Sequence, residues 1–180
     1  MPSQGGCLAV RAEGNRPRLD RLRNRGWVVV SIGYRLAPLD PWPAQPTDVR
    51  ISIDWWRSTG ADLFGAPADP LVGMGWSAGG QLAEWVTVED GGPAFDAAVS
   101  VSGSTYWPDR TTDTATQALF GLPGVQSVTA MTDASSVTHL DAGDPPLLHF
   151  TERTTRSSRC RRPSSSPTRS TATGTPRGTG

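Results

Sequence analysis

Apolar residues in this chain gather into short unbroken runs. Trp27–Ile32 reads Trp-Val-Val-Val-Ser-Ile, and Leu71–Trp76 reads Leu-Val-Gly-Met-Gly-Trp. Runs of that length predict strands buried on both faces, as in parallel sheets. Phe95–Ser102 predicts a third strand ending at Gly103, and Pro145–Phe150 opens a fourth. Between the runs the apolar period lengthens. Val49, Ile53 and Trp56 share one helical face, with Thr47 or Asp48 as the expected cap and Gly60 as the expected stop. A second helix is expected from Ala78 to about Val88, directly after the Leu71–Trp76 strand. Leu19 and Leu22 suit one short amphipathic helix closed by Gly26, inside an otherwise polar and basic first segment. Residues 104–140 read as a polar excursion with one short helix around Ala115–Phe120. Strands alternating with helices predict the α/β class, with a mainly parallel sheet flanked by helices.

The pattern stops abruptly after Phe150. Residues 151–180 contain no Val, Ile, Leu, Met, Phe, Trp or Tyr. Such a stretch has too little apolar area to offset the entropy of ordering it. The expected organisation is therefore a partial domain over 1–150 and a disordered Arg/Ser/Thr-rich tail over 151–180. The formal charge of zero hides the same division. Seven of the 17 basic residues, all of them arginine, fall in the tail beside a single acid, Glu152. Seven arginines among Ser, Thr and Gly are one way to neutralise phosphates. The tail offers no aromatic ring for base stacking, however, and the acidic body opposes such binding. Nucleic acid is not expected as a partner.

Other classes are excluded more simply. No run is long and apolar enough to span a membrane, and the first residues lack the apolar core of a secretory signal. Cys7 and Cys160 sit near opposite ends without metal-ligand spacing. The expectation is a cytoplasmic protein without a disulfide framework or metal. The Gly-rich loops carry no dinucleotide or phosphate fingerprint, so no cofactor is expected.

One motif carries chemistry. Gly75-Trp76-Ser77-Ala78-Gly79 fits the G-x-S-x-G pattern at a predicted strand-to-helix junction. Glycines two before and two after the serine remove Cβ atoms that would collide with neighbouring backbone. That turn would hold the Ser77 hydroxyl at the carboxyl end of the sheet as a nucleophile. The backbone N–H of Ala78, opening the helix, would then point where an oxyanion forms.

Three segments together resemble the α/β-hydrolase superfamily, in its esterase/lipase group related to hormone-sensitive lipase and feruloyl-esterase-like hydrolases. They are Val28–Pro38 with Tyr-Arg-Leu-Ala-Pro, Gly75–Gly80, and Ser135–Leu140 ahead of Asp144–Leu148. The resemblance covers roughly residues 15–150. It implies an incomplete α/β-hydrolase fold and hydrolysis of a small-molecule carboxylic ester. A peptidase of the prolyl-oligopeptidase type shares Gly-Trp-Ser-x-Gly-Gly, but Tyr34–Pro38 favours the esterase group. A non-catalytic remnant is the other alternative.

The resemblance also implies a triad, in which a histidine deprotonates the serine and an aspartate orients the histidine. The family motif for that aspartate, His-Gly-x-x-Asp-x-x-Val-Pro, is missing after Phe150, and so is the later histidine. His139 and His149 are the two histidines of the chain, and both are expected to be structural. Weak or absent activity follows. The second oxyanion donor would come from a Gly-rich loop, whose expected vestige is Gly5 and Gly6.

A single-base shift accounts for the tail. Read from the third base of each codon, Phe150–Arg161 can spell His-Gly-Ala-Asp-Asp-Gln-Val-Val-Pro-Val-Pro-Gln. The lost aspartate then falls at the Thr155 position. The expectation is a frameshifted, truncated hydrolase. Elsewhere the bland readings are preferred. Trp27, Trp55, Trp56 and Trp85 are read as packing residues, and Trp76 as the neighbour of the nucleophile. Asp48 is read as a cap, Asp54 as a solvated helix position, and Tyr34 and Arg35 as braces of the loop after the first run.

Overall fold

The structure, a computed structural model, describes residues 5–10, 16–89, 94–110, 112–121 and 128–151. Five strands form one sheet: β1 (Gly5–Val10), β2 (Trp27–Ile32), β3 (Leu71–Trp76), β4 (Ala97–Val101) and β5 (Leu147–Phe150). Their order is β2-β1-β3-β4-β5, and every pairing is parallel. The tail over 152–180, with the Thr155 position and Cys160, lies outside the described residues.

Alternation along the strands sorts side chains onto two faces. Val28, Val30 and Ile32 of β2 and Leu71 of β3 belong to the main core. There they meet α2 (Ala44–Trp55) through Val49 and Ile53, and α4 (Ala78–Val88) through Leu82, Ala83, Trp85 and Val86. Val29, Met74 and Trp76 face the other way, onto Leu19 and Leu22 of α1 (Arg16–Arg23). Phe95 is fully buried, and a Cβ on Gly73 would stand 2.5 Å from its ring. The glycine thus lets Phe95 lie flat against β3.

Several expectations need correction. The first segment was read as polar and basic with one short helix, yet Gly5–Val10 forms β1 between β2 and β3, in register with both. β2 is consequently an edge strand, half-buried instead of buried on both faces. α2 begins at Ala44 with Pro43 before it and no side-chain cap. Pro46 is harmless in the first turn, where its missing N–H has no partner to lose. Asp48 is therefore no cap: it sits inside α2 and serves Arg35. Gly60 does not stop the helix, which passes through a π-helical turn (Trp56–Gly60) into α3 (Ala61–Phe64). The stop is Gly65, whose φ of 60° is the left-handed conformation glycine adopts at helix ends. Trp55, expected to pack, is 40% exposed.

The polar excursion is more structured than its composition suggests. It holds α5 (Thr114–Leu119) and α6 (Val128–Asp133), with short 3-10 turns at Pro108–Arg110 and Ser136–Thr138. Trp107, Phe120, Met131 and Ala134 form its own small core. Gln81 and Trp85 of α4 donate to the carbonyls of Ala134 and Asp133, at 3.0 and 2.7 Å. Those bonds dock the excursion over the carboxyl end of the sheet.

Candidate active site

The junction between β3 and α4 is built by close backbone approach. A Cβ on Gly75 would lie 2.1 Å from both the carbonyl carbon and oxygen of Gly79. A Cβ on Gly80 would lie 2.7 Å from Ser100 Oγ. No side chain fits at either position. Between them Ser77 adopts φ 52° and ψ −120°, a conformation that disfavours L-residues. It is held there from both sides: its N–H donates to Val101 O at 2.9 Å, and its carbonyl accepts from Gln81 N at 3.1 Å. Ser77 stands at the N-cap of α4, yet its hydroxyl makes no capping bond. The side chain is exposed and lines a cavity of about 410 Å³.

The walls of that cavity come from three places. Its floor is the start of α4, with Ala78, Gln81 and Leu82. The loop after β2 supplies Tyr34, Leu36, Ala37 and Trp42, with Gln45 from α2. The docked excursion supplies Ser104, Trp107 and Arg110, together with Asp113 and Leu119. A bond from Trp42 N to Leu119 O, 2.7 Å, ties the two walls together.

Arg35 braces the loop, as expected. Its backbone N–H and Nε donate to Asp48 Oδ2 at 2.8 and 3.0 Å, and its Nη2 donates to Oδ1 at 2.9 Å. The Arg35 hydrogen bond holds the Asp48 carboxyl below the usual carboxylate range, against the opposing pull of partial burial. The same bond raises the Arg35 guanidinium. Tyr34, in contrast, was expected only to brace and instead lines the cavity.

A family model described as the alpha/beta hydrolase fold matches residues 6–157. The chain belongs to that family. Among curated proteins, it is 35% identical over 106 residues to Esterase LipC of Mycobacterium tuberculosis, covering 52% of this chain and 26% of the relative. It is 34% identical over 113 residues to Esterase LipQ of the same organism, covering 57% and 26%. The chain thus spans about a quarter of the length of these relatives. Among solved structures, a truncated form of a carbohydrate esterase from gut microbiota superposes with a TM-score of 0.72 at 19% identity, covering 83% of this chain and 66% of that one. These relatives make the family one of hydrolytic enzymes of the esterase/lipase type. No described helix is long and apolar enough to cross a membrane.

Within the hydrolase frame, the sequence-expected site residues separate. Gly75, Ser77, Ala78 and Gly79 come together at the junction. Trp76 does not join the cavity: as the intervening strand residue it points to the opposite face, packs in the Leu19 cluster and lies 5.7 Å from the Arg18 guanidinium. Gly5 and Gly6 are a correction. They open β1, where Gly6 pairs with Leu71 at the start of β3, while Val10 is the residue opposite Gly75. Four strand residues, about 13 Å, separate Gly6 from the level of the junction. Their amides cannot serve an oxyanion at Ser77.

Neither histidine is hydrogen-bonded to Ser77. His139 Nε2 bonds the Asp133 carbonyl at 2.6 Å, and its ring meets Trp85 edge-on. His149, on β5, pairs through Nδ1 with Glu84 of α4, a carboxylate only 3% exposed. Ser136 Oγ also approaches Glu84, at 3.5 Å. Among the described residues no cluster of His, Cys, Asp and Glu could hold a metal ion. What the sequence reading missed was the lining: Trp42, Gln45, Trp107 and Arg110. Their one visible signal was the unusual density of tryptophan, which does not say which ring faces a cavity.

Proposed function

We propose that this chain is a serine carboxylic ester hydrolase in which Ser77 is the nucleophile and the Ala78 N–H an oxyanion donor. The observation that carries the reading is the conformation of Ser77. A non-glycine residue at φ 52°, between two glycines that admit no Cβ, presents an uncapped hydroxyl to a cavity. Strain of this kind costs about 1–3 kcal/mol and persists where the surroundings hold it in place. The names of the mycobacterial relatives, both esterases, support a small-molecule ester as substrate.

In this reading Ser77 Oγ attacks the ester carbonyl carbon and the carbonyl π electrons move onto oxygen. The amide of Ala78 donates to that oxyanion at the amino end of α4, where the helix dipole favours negative charge. Collapse breaks the bond to the alcohol, which leaves protonated by solvent after solvent has taken the Ser77 proton, and water then hydrolyses the acyl-enzyme to the acid and free Ser77. The proton transfer is the weak step. A hydroxyl without an adjacent base is a poor nucleophile near neutral pH. Both histidines of the chain are engaged elsewhere, so solvent must take the proton and turnover is slow. Residues 151–180, read as a frameshifted tail, belong to the same proposal: they stand where the family motif carries its aspartate. A reducing, cytoplasmic setting fits the two widely separated cysteines.

Hydrolysis of 4-nitrophenyl acetate by the purified chain tests this reading. The expected result is slow turnover abolished in Ser77→Ala. Equal rates for the chain and the variant overturn it.

A further inference from the structure

The wall of the Ser77 cavity carries two charged residues among those described, Arg110 and Asp113. Both belong to the docked excursion, where the turn Pro108–Arg110 leads towards α5. The backbone of Arg110 is committed to that turn. Its N–H donates to Trp107 O at 2.8 Å, and its carbonyl accepts from Asp113 N at 3.0 Å. What the residue has left to offer a ligand is its guanidinium. Arg110 is exposed, so that group is open to a solute entering the cavity. Among the described residues it makes no hydrogen bond or ion pair, whereas Arg35, Arg50 and Arg57 hold Asp48, Glu89 and Asp69. Those three arginines brace the fold, and Arg110 braces nothing.

A guanidinium presents its N–H donors in a planar fork that matches a carboxylate. Asp113 does not fill that fork. Its Oδ1 accepts from Ala115 N at 3.1 Å and its Oδ2 from Thr116 Oγ1 at 3.2 Å, bonds that cap the start of α5. An unpaired cation beside a committed acid suits a ligand with one negative charge. A phosphate dianion brings a second charge, for which the described wall holds no second cation. The rest of the wall includes Leu36, Leu82 and Leu119, apolar surface for a short run of methylenes between an ester at Ser77 and an acid at Arg110.

We infer that this cavity takes half-esters of short dicarboxylic acids, with Arg110 pairing the free carboxylate. The proposal deepens the esterase reading and rests on it for the position of the ester group. Its test does not depend on turnover. The full chain carrying Ser77→Ala is titrated with mono(4-nitrophenyl) glutarate and, separately, with 4-nitrophenyl pentanoate. The two ligands are close in length and differ in a carboxylate against a methyl group. Binding is followed by quenching of tryptophan fluorescence, since Trp42 and Trp107 line the cavity. The half-ester should bind roughly threefold or more tightly, a modest gain because the ion pair stays near water. Most of that preference should vanish at about 1 M salt, where charges are screened within a few ångströms. Arg110→Gln, added to Ser77→Ala, should bind the two esters equally and melt at the same temperature, because the side chain holds nothing in the fold. Equal binding of both esters before that change, a preference undiminished by salt or by Arg110→Gln, or no binding of either ligand overturns the inference. None of those outcomes touches the Ser77-dependent hydrolysis of 4-nitrophenyl acetate, so the two readings fail separately.

Discussion

Ser77 combines two properties that rarely coincide: a conformation suited to glycine, and a side chain left without a capping bond at a helix start. If the hydroxyl is kept for chemistry, stability should improve when the Cβ goes. Ser77→Gly is expected to be more stable than Ser77→Ala by about 1 kcal/mol in urea denaturation, because alanine keeps the strain and glycine relieves it. Equal stabilities would mean that the backbone there is relaxed. The serine and its flanking glycines were legible in the sequence because the restriction is local. A tight crossing of backbone on backbone needs those residues whatever surrounds them. Trp76 shows the limit of that reasoning. Adjacency in sequence suggested a place beside the nucleophile, whereas strand alternation turns its ring to the far face. Asp48 is a second example. Read as a cap, it is instead the anchor of Arg35, and its lowered pKa has a consequence in acid. A carboxyl depressed in the folded state adds stability that is present above its unfolded pKa and disappears as pH falls through the folded value. The melting-temperature gap between the chain and Asp48→Asn should therefore be constant near neutrality and close in acid, below the usual carboxylate range. A gap independent of pH would contradict the ion pair.

At the scale of elements, β2, β3 and α4 were legible residue for residue. Each has a dense apolar signal bounded by glycine or by the serine turn. β1 was not. Gly-Gly-Cys-Leu-Ala-Val has only Leu8 and Val10 as large apolar residues, and it becomes a strand by pairing on both sides with neighbours from elsewhere in the chain. The helix stop at Gly60 failed for a related reason. That glycine makes room for tryptophan: a Cβ there would stand 2.8 Å from the Trp55 ring, while the true stop needs the positive φ of Gly65. The attachment of β5 to α4 is likewise invisible in sequence, resting on His149 and a carboxylate 65 residues earlier. His149→Leu leaves Glu84 buried with only the Ser136 hydroxyl at 3.5 Å, and should destabilise the fold by about 3 kcal/mol. Adding Glu84→Leu should recover much of that loss, because two buried apolar groups need no partner. Ser77-dependent ester cleavage should survive in the double variant. Its loss, with the fold retained, would make His149 a base and not a structural residue.

At the scale of the molecule, the parallel sheet and its alternating helices followed from pattern alone, and the family match agrees. The cavity did not follow. It exists because residues 104–110, 112–121 and 128–140 dock on α4 and meet the loop after β2, through bonds such as Gln81 to Ala134 and Trp42 to Leu119. Composition marks that excursion as polar, and only the packed arrangement turns Trp107 and Phe120 inward as its core. The central claim joins all three scales: the fold presents a reactive hydroxyl, and no histidine of the chain is bonded to it. The most direct measurement is the rate at which a small fluorophosphonate labels the protein, followed by intact mass across pH. The account predicts a single adduct, on Ser77 and absent from Ser77→Ala. It should form slowly and ever faster with rising pH, without an inflection near about 6.5, where an ordinary imidazole titrates. An adduct elsewhere, no adduct at any pH, or fast labelling that follows a histidine titration would contradict it.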